Sequence, residues 1–309
     1  ASGGAMAGAS MTDTTGRPLG SHCGWKVATT NNAARTTVTA CENISQIRCI
    51  TDAAGRPRKM STTRDELARY LHELLGVDRF RDYGPNGLQV EGRAQIDCLV
   101  TGVTASLALV QAARDEGAHA ILVHHGLFWR GQDGRITGWL HRRLRALLLA
   151  ELNLFAYHLP LDAHPVHGNN AQWARLLGIE VQACFGEQQL GAIGTAPAAL
   201  DIGILVQRLR ETLGREPLLV PGDGRALRRI AWCTGGAQGY FEAAIDAGAD
   251  AFLTGEISEP QAHLARETGV AFLACGHHAT ERYGVQALGE HLAGQFGLVH
   301  RFIDIPNPA

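Results

Sequence analysis

From Ser61 onward, short apolar runs rich in β-branched residues alternate with segments whose apolar positions recur at helical spacing, the pattern of an α/β protein. The first helical segment opens on Ser61-Thr-Thr-Arg-Asp-Glu, an N-cap signal, and places Leu67, Tyr70, Leu71, Leu74 and Leu75 on one face. Strands are predicted at Leu88-Gln-Val and over 96–101, the second running into Gly102. A helix over 107–116 leads to Ala120-Ile-Leu-Val123, a strand that stops at His124-His125-Gly126. A further helix over about 139–149 precedes Leu154-Phe-Ala-Tyr157, a strand ending at His158.

The same grammar returns in the second half. Residues 230–236 match the strand at 96–101 and its turn, 241–247 the helix, and 248–254 echo 117–123. In that register Gly255-Glu256 stands where His124-His125 stood. A helix over 262–268 and a strand over 270–274 follow, and this strand runs on to His277. Upstream, 200–213 and 217–220 answer the first helix and the Leu88-Gln-Val strand. A period of about 120 to 130 residues is too long for a solenoid and predicts two pseudo-repeated α/β lobes, 60–186 and 187–309, joined near 186–199. The C-terminal part is free to pack back on the first lobe.

Residues 1–59 differ in kind. They are rich in Ala, Thr, Gly, Ser and Asn, contain no Phe and show no sustained apolar period. A disordered head is expected there, an expression remnant or an over-extended start, with the folded protein beginning near Met60.

A formal charge of -2 leaves no excess of cations to neutralise a phosphate backbone, which disfavours duplex nucleic acid as a partner. No apolar run approaches the roughly 18 residues that span a bilayer, and the N-terminus lacks the apolar centre of a leader, so a soluble, cytoplasmic chain is expected. Seven cysteines, none in a Cys-x-x-Cys pair, fit neither a disulfide framework nor a structural zinc site and are expected to be reduced.

Histidine placement carries the chemistry. In open α/β sheets ligands gather outside the carboxyl ends of the strands, where side chains are exposed on a rigid backbone. His124 and His125 close one strand, His158 the next, and His277 the matching strand of the second lobe. Asp162 follows His158 by four residues and Glu281 follows His277 by four, so one His-x-x-x-carboxylate motif occurs at matched places. Imidazole and carboxylate are ligands shared by zinc, manganese, iron, nickel and cobalt, and a carboxylate can bridge two ions. His124, His125, Asp162, His277 and Glu281 are therefore candidate ligands, with Asp162 and Glu281 as candidate bridges. For both adjacent imidazoles to reach one site the strand must end in a turn, which Gly126 is expected to supply. His278 should point away, and His164 and His167 are candidates to support the ligands from the following loop.

Tyr83-Gly-Pro-Asn-Gly-Leu-Gln-Val-Glu-Gly92, Val123-His-His-Gly-Leu-Phe-Trp129, Tyr157-His-Leu-Pro-Leu-Asp-Ala-His164 with Asn169-Asn170, Gly276-His-His-Ala-Thr-Glu281 and the terminal Phe302-Ile-Asp-Ile-Pro-Asn-Pro-Ala309 resemble the NIF-three-like dinuclear metal-centre family, whose members are widely labelled type 2 homologues of GTP cyclohydrolase I. The resemblance runs in order from about Met60 to Ala309. It implies two divalent metal ions per chain, held by the same five residues, and a toroidal homohexamer built from trimers with the metals facing its inner cavity.

Two readings of function follow. One is a metal-dependent hydrolase of the cyclohydrolase type acting on a small molecule, with a nucleotide as one candidate and His158 as the catalytic acid or base. Arg130, Arg135, Arg142, Arg143 and Arg145 are then candidates to receive phosphates, although a solvated helix face is the better account of Arg142 to Arg145. The other is a metal-binding or metal-delivery protein without turnover and with no small-molecule substrate. No phosphate loop and no complete dinucleotide fingerprint is present.

Overall fold

The computed structural model describes residues 61–196 and 200–309. The head expected to be disordered lies outside the described residues. Along the first lobe run β1 (Thr62–Thr63), α1 (Arg64–Leu75), β2 (Gly87–Val90), β3 (Gln95–Ile96), β4 (Cys98–Thr104), α2 (Leu107–Asp115), β5 (Ala120–His125), α3 (Gly138–Leu149), β6 (Asn153–Ala156), α4 (Leu159–Ala163) and α5 (Asn169–Leu177). The second part comprises β7 (Glu180–Phe185), β8 (Gly191–Thr195), α6 (Ile202–Leu213), β9 (Leu218–Val220), β10 (Arg229–Trp232), α7 (Phe241–Asp246), β11 (Ala251–Thr254), α8 (Glu259–Thr268), β12 (Ala271–Ala274), α9 (His277–Thr280), α10 (Arg282–Phe296) and β13 (Val299–Phe302).

The strands form two principal sheets, ordered β13-β4-β5-β6-β2 and β7-β8-β10-β11-β12-β9, beside the small β1-β3 pair. In each, three consecutive strands are paired in parallel, β4-β5-β6 and β10-β11-β12, and the strand beyond them, β2 or β9, is antiparallel. The helices preceding β2 and β9 are also alike. Both have twelve residues, a side-chain cap from Thr63 or Asp201, and a left-handed glycine, Gly76 or Gly214, at the end. They bury Leu67, Leu71 and Leu75 in one case and Leu205, Leu209 and Leu213 in the other, positions spaced by four that line one helix face.

Both faces of each sheet are covered, which is why the parallel strands read as unbroken apolar runs. Val100, Ile121 and Val123 face α2 and α3, whereas Leu99, Ala120 and Leu122 face α1 and α10. In the second sheet Ile230, Trp232 and Leu253 pack with α5 and α6, and Ala231, Phe252 and Phe272 with α7 and α8.

One connection departs from the sequence reading, and one takes the course that reading left open. β7 precedes the join expected near residue 186 but pairs with β8 in the second sheet, so the change of sheet falls after α5. The short polar stretch at 186–190 is a hairpin loop, with Gln188 and Gln189 at positive φ, rather than a linker between lobes. At the other end β13 pairs in parallel with β4, so the last helix and strand of the chain complete the first sheet. Cys98, Cys233 and Cys275 are free thiols; Cys184 is not one of them. No helix among the described residues is long and apolar enough to cross a membrane.

Candidate metal centre

The carboxyl ends of β5, β6 and β12 converge, and each delivers its polar side chains by a different local device. β5 carries Leu122 and Val123 into the apolar interior, then places His124, fully buried, and His125 at its last two positions. The two rings are 4.6 Å apart and inclined at 49°, so both reach the same region. Gly126 does not supply a positive-φ turn; a Cβ there would strike the Gln89 side chain, whose Oε1 accepts from Leu127 N at 2.8 Å. A side chain there would displace the Gln89 amide from its hydrogen bonds to Leu127 N and Pro85 O, so close approach rather than backbone conformation favours that glycine.

β6 gives way at His158 to the short α4, which seats Asp162 in the interior. β12 gives way at Gly276, with φ 95, to α9, and Glu281 stands at the junction of α9 and α10, nearly fully buried. A Cβ on Gly235, with φ 72, would run into the Glu281 carboxylate, so the turn after β10 must be bare there.

The five expected ligands come together. Glu281 Oε1 is 3.4 Å from His124 Nε2, and its Oε2 is 3.2 Å from His125 Nε2 and 3.3 Å from His277 Nε2. Asp162 Oδ2 lies 3.5 Å from His124 Nε2. Three sets of potential ligand atoms, each set within 4.8 Å, can be drawn: His124, Asp162 and Glu281; His125, His277 and Glu281; and His124, His125 and His158.

The electrostatics are those of a site that wants cations. Burial opposes charge on Glu281, but His125 and His124 beside it hold its carboxyl well below the usual range. Burial likewise opposes charge on His124, yet Asp162 and Glu281 push it up to about 9, and Glu281 with Glu256 does the same for His277. His125 is held down to about 3 by burial and by the neighbouring His124, His277 and His158, despite Glu281. Burial, reinforced by Glu281, raises Asp162. His124 Nε2 and Glu281 Oε2, both buried, make no hydrogen bond among the described residues. Buried donors and acceptors of this kind are costly unless something satisfies them, and a divalent cation between imidazole nitrogen and carboxylate oxygen does so. The donor set therefore fits a metal.

The candidate ligands are in turn held. His124 Nδ1 bonds Tyr157 O at 3.0 Å and His125 Nδ1 bonds Thr104 Oγ1 at 3.1 Å, which turns both Nε2 atoms inward. Asn169 Nδ2 donates to Asp162 Oδ1 at 2.8 Å, and Thr234 Oγ1 donates to the same oxygen at 3.3 Å. Two carboxylates that the sequence reading gave no role complete the frame. Glu256 Oε1 is 2.6 Å from His277 Nδ1, and Asp82 Oδ1 is 2.7 Å from His158 Nδ1. The repeat register, which put Glu256 in the place of His125, was the available signal for the first; nothing local marked the second.

The chain matches the family model described as Duf34/NIF3 (NGG1p interacting factor 3) over residues 62–308. The chain belongs to the DUF34/NIF3 family. Among its relatives, the GTP cyclohydrolase 1 type 2 homolog of Pseudomonas aeruginosa is 52% identical over 253 residues, covering 81% of this chain and 98% of the relative. The protein of the same name from Neisseria meningitidis serogroup A is 50% identical over 246 residues, covering 80% and 99%. Of solved structures, protein ybgI, described as of unknown function, superposes with a TM-score of 0.78 at 46% identity, covering 80% of this chain and all of that one. TTHA1606 from Thermus thermophilus gives 0.75 at 35% identity over the same share of each.

The remaining candidates of this DUF34/NIF3 chain fall elsewhere. His278 points away and bonds Asp304 at 2.7 Å. His164 and His167 stack on each other, and His167 lies tilted at 35° against His291, in a cluster of their own. Arg142 and Arg145 line a cleft of about 910 Å³ with Gly117, Ala118 and Leu152, at the amino ends of β5 and β6. A six-residue strand separates them from the ligands by roughly 20 Å, too far to serve a substrate at the centre. Arg143 covers Trp139 and Arg135 pairs with Asp133. Arg130 alone of these arginines stands at the site, through Asp82 and Tyr83.

Proposed function

We propose that this protein is a metal-dependent hydrolase of the cyclohydrolase type, with two divalent ions held by His124, His125, Asp162, His277 and Glu281. The observation that carries the reading is the placement of Glu281, whose Oε1 faces His124 and whose Oε2 faces His125 and His277, so that one carboxylate serves two ligand sets. When bound, such ions supply Lewis-acid polarisation of an electrophile and acidification of water.

His158 is left over once the two ligand sets are assigned, and it supplies the acid-base group. Burial works against charge on Asp82, but the His158 imidazole beside it and the hydrogen bond from Asn86 pull its carboxyl down to about 2, so it accepts from His158 Nδ1–H. Asp82 also accepts from Leu159 N and Asn86 Nδ2, while Asn86 accepts from His158 N. That frame leaves Nε2 as the atom that takes a proton from the nucleophile and returns it to the leaving group.

The names of the relatives make purine nucleotides the first substrates to try. Assembly as a homohexamer built from trimers, near six times 33.1 kDa, and a cytoplasmic location belong to the same reading. A metal-delivery role is the second reading, favoured by the third set His124, His125 and His158, which offers an ion an alternative seat. Manganese- or zinc-loaded protein is screened against nucleotides, phosphodiesters and cyclic amides. Metal-dependent turnover that is lost in His158→Ala supports the hydrolase; two bound ions with no turnover on any class would favour delivery instead.

A further inference from the structure

The rim of the centre is made by two segments pinned to each other. Arg130 N donates to Tyr83 O at 2.6 Å and Arg130 Nη2 to Asp82 O at 2.8 Å, while Gly84 packs against the Phe128 carbonyl and the Trp129 ring. This pinning presents two aromatic rings beside His158. Trp129 stands 5.2 Å from it, perpendicular, and 5.9 Å from His125; Tyr83 stands 6.2 Å from it at 62°. Tyr83 is 60% exposed, and Trp129 is partly exposed.

Neither ring serves the fold. Phe128, next to Trp129, packs on the first lobe's core, whereas Tyr83 and Trp129 belong to none of the apolar clusters. Among the described residues neither the Tyr83 hydroxyl nor the Trp129 indole N–H makes a hydrogen bond, and Arg130 keeps all but one of its guanidinium donors free of side-chain or backbone partners. Exposed aromatic faces with unused polar ends, fixed beside a cation, are the components of a stacking and anion-binding surface.

We propose that Tyr83 and Trp129 form the walls against which a flat aromatic ring of the ligand stacks, and that Arg130 takes an anionic group on the same ligand, such as a phosphate. The proposal deepens the hydrolase reading and rests on it for the placement of the ring beside His158. The ligand class is a planar heterocycle carrying an anion. Arg130 binds the anion through its free N–H groups, and the ring stacks next to the His158 imidazole, which stands 5.2 Å from Trp129.

Calorimetric titration of the full, metal-loaded chain tests it, with AMP and GMP as ring-and-anion probes, adenosine as the ring alone and ribose 5-phosphate as the anion alone. AMP and GMP are expected to bind about tenfold or more tighter than ribose 5-phosphate, and Trp129→Leu and Tyr83→Leu each to reduce that advantage severalfold. Trp129→Phe keeps a stacking face and should retain most of the affinity. Arg130→Ala should weaken AMP and GMP without affecting adenosine. Because Tyr83 is largely exposed, Tyr83→Leu is expected to fold, which keeps the test decisive if Trp129→Leu does not. Nucleotide affinity unchanged in Trp129→Leu and Tyr83→Leu, or no preference for the ring-bearing probes, would overturn the proposal. Metal content is measured on every sample. Bound metal with turnover of a ring-free substrate would sink the stacking walls and leave the hydrolase; Trp129-dependent nucleotide binding with no turnover would sink the hydrolase and leave the walls.

Discussion

His158 and His277 close matched strands of the two lobes, and each has its Nδ1 held by a carboxylate, Asp82 at 2.7 Å and Glu256 at 2.6 Å. The same arrangement serves two ends, because Glu281 Oε2 meets His277 Nε2 whereas among the described residues His158 Nε2 has no carboxylate at ion-pair distance. Glu256→Gln is therefore expected to weaken metal binding about 10- to 100-fold, the usual effect of removing such a support. Asp82→Asn should leave metal content unchanged and lower turnover. Competition titration with a chelator reads the first and metal analysis the second; equal loss of metal in both variants would make His158 a ligand.

Removing the carboxylate shared by both ligand sets should cost more than removing any one imidazole. Glu281→Ala is expected to release most of two bound equivalents, since the two ions would then face each other unscreened. Metal analysis of manganese- or zinc-loaded protein checks this. Two ions retained with unchanged affinity would remove Glu281 from the bridge.

Metal affinity should rise with pH. In the metal-free site His124 and His277 are pushed up to about 9 and so carry protons below that pH, and each must lose its proton to ligate. Affinity is expected to fall by up to about 100-fold per pH unit as the pH drops below 9, two protons being displaced, and to level off above it. The same shifts stabilise the metal-free fold fully below the unfolded value of 6.5 and lose that contribution as pH rises through about 9. Chelator competition at several pH values, alongside thermal melts of apoprotein, measures both slopes; a flat affinity profile would mean the imidazoles are already neutral.

Gly235 has φ 72 and lies against the Glu281 carboxylate. Gly235→Ala is expected to cost about 1–3 kcal/mol through backbone strain and to displace Glu281 as well. Denaturant unfolding with metal analysis separates the two effects. A variant that kept full stability and both ions would show that the turn relaxes freely.

Leu71 and Leu209 occupy the same position of α1 and α6 and are 0% and 1% exposed. Each change to alanine should destabilise by about 2–5 kcal/mol through lost burial and the cavity left behind. Chemical unfolding gives both values, and a cost below about 1 kcal/mol at either site would show that its lobe collapses around the gap.

The fold class, the lobe repeat and the five side chains that cluster as candidate ligands were legible in the sequence because each is written locally. Apolar periodicity marks the helices and strands, and a residue placed just past a parallel strand has its address set by the strand itself. Leu67-Leu71-Leu75 and Leu205-Leu209-Leu213 repeat visibly, and so do His158-Asp162 and His277-Glu281. What depends on contacts between distant segments was not written there. Strand β7 joins the second sheet and β13 the first through backbone hydrogen bonds, to which side-chain pattern is blind. Asp82 meets His158 across 76 residues, and Gly126 lies against the Gln89 amide rather than forming a turn of its own. Arg142 and Arg145 share their stretch of sequence with Arg130, but α3 carries them to the opposite end of the sheet, because a helix in a βαβ crossover returns the chain to where the strand began.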